Sequence, residues 1–289
     1  MVLIIGKFES FHIGHQKLID IGKSISKKFN LPVKIVSFSP LPYEYFYKNY
    51  VPIYTKEERK HIAKNKFLID IDFLDFEKIR NLKAFEFLKL LKEKYNFNFI
   101  VAGEDFAFGK DKEGSFLELK KYENILNYKS IKVSLEIYNN QKVATSTIRK
   151  FLSEGKIEIA NKFLNHLYFT FGKVTSGRQI GKKIGFPTAN IYCKKLILKH
   201  GVYKGYIYIK EENKSFLAIA NYGKRPTLDG GKELLEVHIP NIKLNLYNKN
   251  VIFWFEKFIR PEKKFNSIKE LKNQIKKDIE EVLKDVKVS

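Results

Sequence analysis

Cysteine is almost absent from this chain, with one residue, Cys193, in 289. That excludes a disulfide framework and fits a reducing compartment, so a cytoplasmic location is expected. No window approaches eighteen uninterrupted apolar residues, so neither a membrane span nor a membrane partner is expected. The N-terminus reads as a core strand, "VLII", and a glycine turn. It lacks the basic region and small-residue cleavage site of a secretory signal. Internal repeats and low-complexity segments are also missing. Histidine is scarce, at six residues, and so is arginine, also six.

What is plentiful is lysine. Net charge is +22, and lysine carries nearly all the positive part, spread along the whole chain and mixed with glutamate. A charge of that size suggests nucleic acid or an anionic surface as partner. The spread without a basic stripe favours a coding bias, together with heat adaptation through Lys and Glu. No nucleic-acid partner is expected; a polyanionic small molecule such as a nucleotide benefits from the same field. Where lysine is the default cation, an arginine is informative, because its planar fork grips phosphate or carboxylate with two parallel bonds. Arg80 reads as a chance surface position. Arg149 and Arg225 sit in motif-like surroundings, while Arg59, Arg178 and Arg260 complete the set.

Two histidines, His12 and His15, lie three apart in "GKFESFHIGHQKLI". The apolar run before them reads as a buried strand. "HQKLIDIGKSI" reads as a helix with Leu18, Ile19, Ile21 and Ile25 on its apolar face. The pair therefore falls at a strand-to-helix turn, where free backbone N–H groups and the helix dipole favour an anion. Imidazoles there can donate to phosphate oxygens. A metal pair and an ordinary loop are the other readings, and no Cys or further His lies nearby to complete a metal site.

A length of 289 residues suggests two domains, and the 44% hydrophobic content provides a sizeable core. Residues 1–164 alternate strand patterns (2–5, 33–38, 67–73, 99–102, 132–137) with helix patterns (15–26, 56–64, 83–95, 147–154). That spacing predicts a parallel sheet with helices on both faces, its ligands beyond the carboxyl ends of the strands. A short helix over 157–164 closes this half. Residues 165–289 change to short strands (169–174, 201–209, 216–220, 234–239, 251–259) with Gly, Pro, Asn and Asp in the turns. They predict an antiparallel barrel or sandwich. An amphipathic helix with Ile268, Leu271, Ile275, Ile279 and Val282 ends the chain. Trp254 falls in the apolar strand "VIFWF" and is expected in the core.

Further motifs sit near predicted strand ends. In "FSPLPYEYF", Pro40 and Pro42 stiffen a loop whose Tyr43, Tyr45 and Phe46 form either core or a wall for a planar ligand. In "VAGEDFAFGKDKEGS", Gly103, Gly109 and Gly114 let backbone approach a ligand, and Asp105 either caps the next segment or contacts a nucleotide. In "ATSTIRKFLSEG", Thr145 or Ser146 caps a helix with Arg149 in its first turns. This is an ordinary N-cap or a second anion site.

A strand followed by "GKFESFHIGH", with "STIR" much later, resembles the nucleotidylyltransferase superfamily. "FSPLPYEYF", "TKEER" and "VAGEDFAFG" narrow the resemblance to the prokaryotic bifunctional riboflavin kinase and FAD synthetase family. It covers nearly the whole chain. For the first half it implies a Rossmann-like α/β fold that transfers an adenylyl group from ATP to flavin mononucleotide (FMN), giving FAD and pyrophosphate. His12, His15 and Arg149 would stabilise the leaving group. ATP contacts are implied at Gly6, Phe8, Gly14 and Ser146, and flavin contacts at Pro40, Pro42, Asp105 and Phe106. Mg²⁺ accompanies the ATP. Two departures stand beside the histidines. Glu9 and Ser10 replace the usual Asp and Gly, which puts adenylyl transfer in doubt. Ala107 and Lys112 stand where the family often has larger or Arg side chains.

"GRQIGKKIGFPTANI" fails as a P-loop: Gly177 to Gly181 is one residue short, Lys183 follows Lys182 where Ser or Thr belongs, and no helix follows. Thr188 and Asn190 offer two oxygens two residues apart, suited to a hard cation or to a hydrogen-bonded proline turn. "GFPTAN", "NYGKRPT" and "LLEVH" match the riboflavin kinase family. The resemblance implies a β-barrel kinase domain. In it Gly177, Gly181, Lys182, Thr188 and Asn190 hold Mg-ATP, with Thr188 and Asn190 on the metal. Glu236 is the base for the riboflavin 5′-hydroxyl, and Arg225, Arg260, Glu262 and Phe265 lie near the flavin. The expected substrates are riboflavin, FMN and ATP, and the expected state is a monomer or weak homo-oligomer. Alternatives are a kinase with a weakened adenylyltransferase and a basic nucleic-acid-binding protein.

Overall fold

The computed structural model describes residues 1–134, 136–138, 141–175, 181, 184–224, 233–242 and 244–284. The chain divides into two compact units, Met1–Thr147 and Ile148–Ser289.

In the first unit β1 (Val2–Ile5) is buried at all four positions, as a central strand covered on both faces must be. Helix α1 (Ile13–Phe29) follows, and its Gly22 sits where any Cβ would strike Ile4, so helix and strand lie very close. Next come β2 (Val33–Phe38), α2 (Pro42–Phe46), α3 (Lys56–Lys66), β3 (Ile71–Leu74), α4 (Phe76–Ile79), α5 (Ala84–Tyr95) and β4 (Phe99–Gly103). They are followed by α6 (Phe116–Lys121), α7 (Glu123–Leu126), β5 (Lys129–Val133), β6 (Ile137–Tyr138) and β7 (Gln141–Lys142). The five long strands form one parallel sheet in the order β3-β2-β1-β4-β5. Strand order reverses beside β1, so the loops after β1 and β4 open a crevice at the carboxyl edge. One core face gathers Leu3, Ile5, Val36, Phe38, Leu88, Leu91 and Phe97.

Three expected elements differ. Phe67 is the C-cap of α3, and Leu68 turns away with φ +55° and 84% exposure, so the third strand starts at Ile71. The fifth strand runs Lys129–Val133, because its register with β4 ends at Gly103 opposite Val133. Ile137, now exposed, joins a two-residue hairpin instead. Pro42 does not stiffen a loop; it opens the helix α2 at a position where its missing N–H costs nothing.

Helix α8 (Thr145–Glu154) crosses the division between the units, and α9 (Ile157–Leu164) lies in the second. Asn161 pins α9 to the strands that follow: its Oδ1 accepts from the Tyr168 N–H at 2.7 Å and its Nδ2 donates to the Phe255 carbonyl at 2.9 Å. Those strands are β8 (Tyr168–Thr175), β9 (Ala189–Cys193), β10 (Gly201–Ile209), β11 (Lys214–Lys224), β12 (Glu233–His238) and β13 (Asn250–Pro261). They close an antiparallel barrel in the order β10-β11-β12-β9-β8-β13. Ile191, Tyr203, Ala220, Tyr222, Leu235, Val237, Phe253 and Phe255 are buried within it. Trp254 alternates with Phe253 and Phe255 and is half-buried on the other face, not in the core. The final helix, α10 (Ile268–Lys284), covers part of the outside, where Val282 packs against Val202 and Ile219.

Candidate functional site

The first site starts from backbone geometry. Between β1 and α1, Phe8 and Phe11 both adopt left-handed backbone, φ +44° and +52°. For bulky residues that costs about 1–2 kcal/mol each. Both rings are fully buried, Phe8 against Phe11 at 5.4 Å and Phe11 against Phe67 at 5.9 Å. Burial of roughly 2–3 kcal/mol per ring offsets the strain. Ser10 is not among the left-handed residues, so the penalty expected from losing a glycine there does not arise. Its hydroxyl lies 3.4 Å from that of Thr145 at the start of α8.

This loop delivers His12 to the N-cap of α1, where Nδ1 accepts the His15 backbone N–H at 3.2 Å. Nδ1 therefore carries no proton, and the remaining one sits on Nε2. The two imidazoles stack, centroids 3.8 Å apart and 17° from parallel. Gly14 permits this, since a Cβ would stand 3.2 Å from the His12 ring. Gly6 lies as close under Phe8, at 3.1 Å. Burial lowers the His12 pKa to about 4. Burial, His12 and Lys7 hold His15 well below its usual value. Nδ1 of His15 is buried without a hydrogen-bond partner. Both rings are thus neutral donors at neutral pH, not standing cations.

The pair makes the first unit acid-sensitive. Between pH 6.5 and about 4 the unfolded chain binds a proton at His12 that the folded chain excludes. Stability from His12 is complete above pH 6.5 and falls as pH drops through that window, by on the order of 3 kcal/mol. Urea midpoints measured across the window should decline with falling pH. The decline should be shallower in His12→Asn, which keeps an N-cap but does not titrate.

Beside the loop, Glu9 is 2% exposed and accepts hydrogen bonds from the Tyr50 hydroxyl at 2.8 and 2.9 Å and the Ile53 N–H at 3.1 Å. The buried Arg59 guanidinium donates to the Lys7 and Phe38 carbonyls and to Ser37, tying the loops after β1 and β2. Pro40, after a cis peptide bond, and Pro42 lead into α2. There Tyr43 (45%) and Tyr47 (60%) are exposed and stacked. Tyr43, Phe46 and Tyr47 are therefore surface rings and not core. After β4, the exposed Asp105 lies 4.0 Å from Lys142, and Phe106 stacks on Phe108 at 5.4 Å. Helix α8 begins at Thr145, so Thr145 and Ser146 occupy its first turn instead of capping it, with the partly buried Arg149 one turn on.

The second site lies on the outside of the barrel. Thr175, Asn190, Glu236 and Asn221 are successive register partners across β8, β9, β12 and β11. Opposed residues share a face, and the next row, Val174, Ile191, Leu235 and Tyr222, is buried inside. The structure thus sets Asn190 directly opposite Glu236, with Thr188 just before β9. Gly181 accepts the Phe186 N–H at 2.8 Å, and a Cβ on it would strike the Phe186 carbonyl. Nδ1 of His238 donates to the Pro187 carbonyl at 2.8 Å. Next to it opens a cleft of about 670 Å³, lined by Phe186, Pro187, His238, Pro240, Lys276 and Ile279.

Of the residues expected near the flavin in this unit, Arg260, Glu262 and Phe265 are described. Arg260 spends its fork on Asp278 of α10, at 2.7–3.0 Å, and its ring neighbour is Phe265 at 5.9 Å. It clamps the final helix to β13. The Glu262 carboxylate lies over Gly223, where a side chain would collide, and 4.0 Å from His200. Gly177, Lys182 and Arg225 lie outside the described residues. Sequence reasoning missed Tyr50, His238 and Asn221. For His238 and Asn221 the signal was present, since both stand inside quoted motifs.

Among the described residues no helix is long and apolar enough to cross a membrane, and no three His, Cys, Asp or Glu side chains are grouped to hold a metal ion. The family model for FAD synthetase matches residues 1–147, and that for riboflavin kinase matches residues 164–286. A "Bifunctional riboflavin kinase/FMN adenylyltransferase" of Buchnera aphidicola subsp. Schizaphis graminum is 39% identical over 97% of this chain and 92% of its own length. The protein of that name from Escherichia coli K12 is 31% identical over 96% and 90%. A crystal structure described as a macrolide-efflux protein from Streptococcus pneumoniae has a TM-score of 0.87 and 29% identity, covering 96% of this chain and 92% of its own. The chain belongs to the bifunctional riboflavin kinase/FMN adenylyltransferase family.

Proposed function

We propose that the loop after β1 is the adenylyl-transfer site and the outer row of the barrel the kinase site. The observation carrying the first is the buried, neutral, stacked histidine pair at the N-terminus of α1. An FMN phosphate oxygen attacks the α-phosphorus of ATP, the bond to the β-phosphate breaks, and pyrophosphate leaves. The Nε2–H of His12 and the His15 imidazole meet the charge growing on that group, helped by the helix terminus. Arg149 stays in this proposal on the strength of its motif. Positioning and electrostatics suffice, without a covalent intermediate.

At the barrel, Glu236 takes the proton of the riboflavin 5′-hydroxyl, whose oxygen attacks the γ-phosphorus as ADP departs. The hydroxyl of Thr188 and the amide oxygen of Asn190 are hard donors that fit Mg²⁺, which would neutralise phosphate charge when bound with ATP. The cleft beside His238 suits the nucleoside of that ATP. Gly177, Lys182 and Arg225 remain part of the proposed site by motif. The adenylyltransferase half is proposed to span 1–164 and the kinase half 165–289. The protein is proposed to work in the cytoplasm as a monomer or weak homo-oligomer. The experiment is chromatography of two reactions: riboflavin with ATP should give FMN and then FAD, and FMN with ATP should give FAD and pyrophosphate. FMN without FAD would leave a kinase only.

A further inference from the structure

We infer that Glu9 is a positioning residue for the flavin side of the adenylyl-transfer pocket, acting through Tyr50. The inference rests on the reading of that pocket given above. A carboxylate buried as deeply as Glu9 persists only when its oxygens are satisfied. Here they are held by the Tyr50 hydroxyl and the Ile53 N–H, on a segment 41 and 44 residues away. The buried Arg59 guanidinium is also attracted to this carboxylate, after Glu44.

The contact does more than fill a hole. The Tyr50 ring stacks on Tyr43 at 5.5 Å and 21°, and Tyr43 stacks on Tyr47 at 6.0 Å and 24°. The Lys7 ammonium lies over Tyr43 at 5.2 Å. Lys7 and Glu9 flank Phe8, whose left-handed backbone turns the loop. The loop that presents the histidines therefore grips one tyrosine stack at two points: a cation on the ring of Tyr43 and a carboxylate on the hydroxyl of Tyr50. Tyr47, at the outer end of the stack, is 60% exposed and Tyr43 in its middle 45%, while Tyr50 at the inner end is only partly exposed; the exposed end suits a planar tricyclic ligand. Glutamate reaches one methylene farther than the family's usual aspartate. The departure thus sets the wall's position relative to the loop.

The full chain is assayed for FAD formation from FMN and ATP as wild type, Glu9→Gln, Tyr50→Phe and the double variant. Each single change weakens a charge-assisted hydrogen bond, so the KM for FMN should rise about tenfold. The kcat should stay within about threefold, with the KM for ATP unchanged. The double variant should be no worse than the poorer single one, because both cut the same link. Riboflavin phosphorylation by the same preparations should be unaltered. An unchanged KM for FMN, losses that add, or a parallel fall in both activities would each overturn the inference. A wild type that makes no FAD from FMN would instead sink the reading of the pocket itself.

Discussion

Glu236→Gln is expected to lower riboflavin phosphorylation by about 10²–10⁴-fold, the range over which a positioned general base accelerates a reaction. Glutamine keeps the shape and removes only the ability to take the 5′-hydroxyl proton. The register partners of Glu236, Asn190 and Asn221, and the strand pairing around it should survive. The loss should therefore appear in kcat, with the KM for ATP little changed, and adenylyl transfer from supplied FMN should proceed at the wild-type rate. Steady-state assays of the two half-reactions on one preparation check this. Equal losses in both would place Glu236 in general folding and not in chemistry.

The second large effect concerns His12. Removing a preorganised donor to a developing anion costs about 10²–10³ in rate, so His12→Ala should lose that much adenylyl transfer and leave riboflavin phosphorylation intact. Alanine also removes the N-cap of α1, worth about 1 kcal/mol. His12→Asn separates the two roles. Asparagine restores the cap and the melting temperature but has no imidazole Nε2–H, so activity should stay low. Recovery of activity in His12→Asn would make His12 a helix cap only.

Much of the architecture was legible because its signals are local. The run Val2–Ile5 and the helix after it are set by hydrophobic periodicity, and they place the histidines at the strand's carboxyl end. Three strands, at 2–5, 33–38 and 201–209, appear with the expected bounds. What escaped depends on partners far along the chain. Strand β9 is only five residues long and opens with Ala189 and Asn190, both poor strand formers, before Ile191 and Tyr192; its extent is set by β8 and β12 pairing with it on either side.

The candidate site divides the same way. The motifs named His12, Thr188, Asn190 and Glu236, and the fold explains their grouping: one strand-to-helix turn in one unit, and in the other a row across the barrel holding Asn190 and Glu236, with Thr188 just before it. The protonation state of the histidines was hidden, because it follows from burial and from a backbone N–H onto Nδ1. The link from Glu9 to Tyr50 was hidden by a separation of 41 residues along the chain. Arg260 was read as flavin-proximal from its motif, while its fork is taken by Asp278, eighteen residues on in α10. An arginine's partner cannot be read from spacing when the helix presenting it packs by tertiary contact.

Complementation in a single vessel tests most directly whether two separate pockets carry the two steps. Riboflavin and ATP are given to the Glu236→Gln protein, to the His12→Ala protein and to an equal mixture, and flavins are resolved by chromatography over time. The first alone should leave riboflavin, the second alone should stop at FMN, and the mixture should make FAD. A mixture that makes no FAD, or a single variant that loses both steps, would contradict the account.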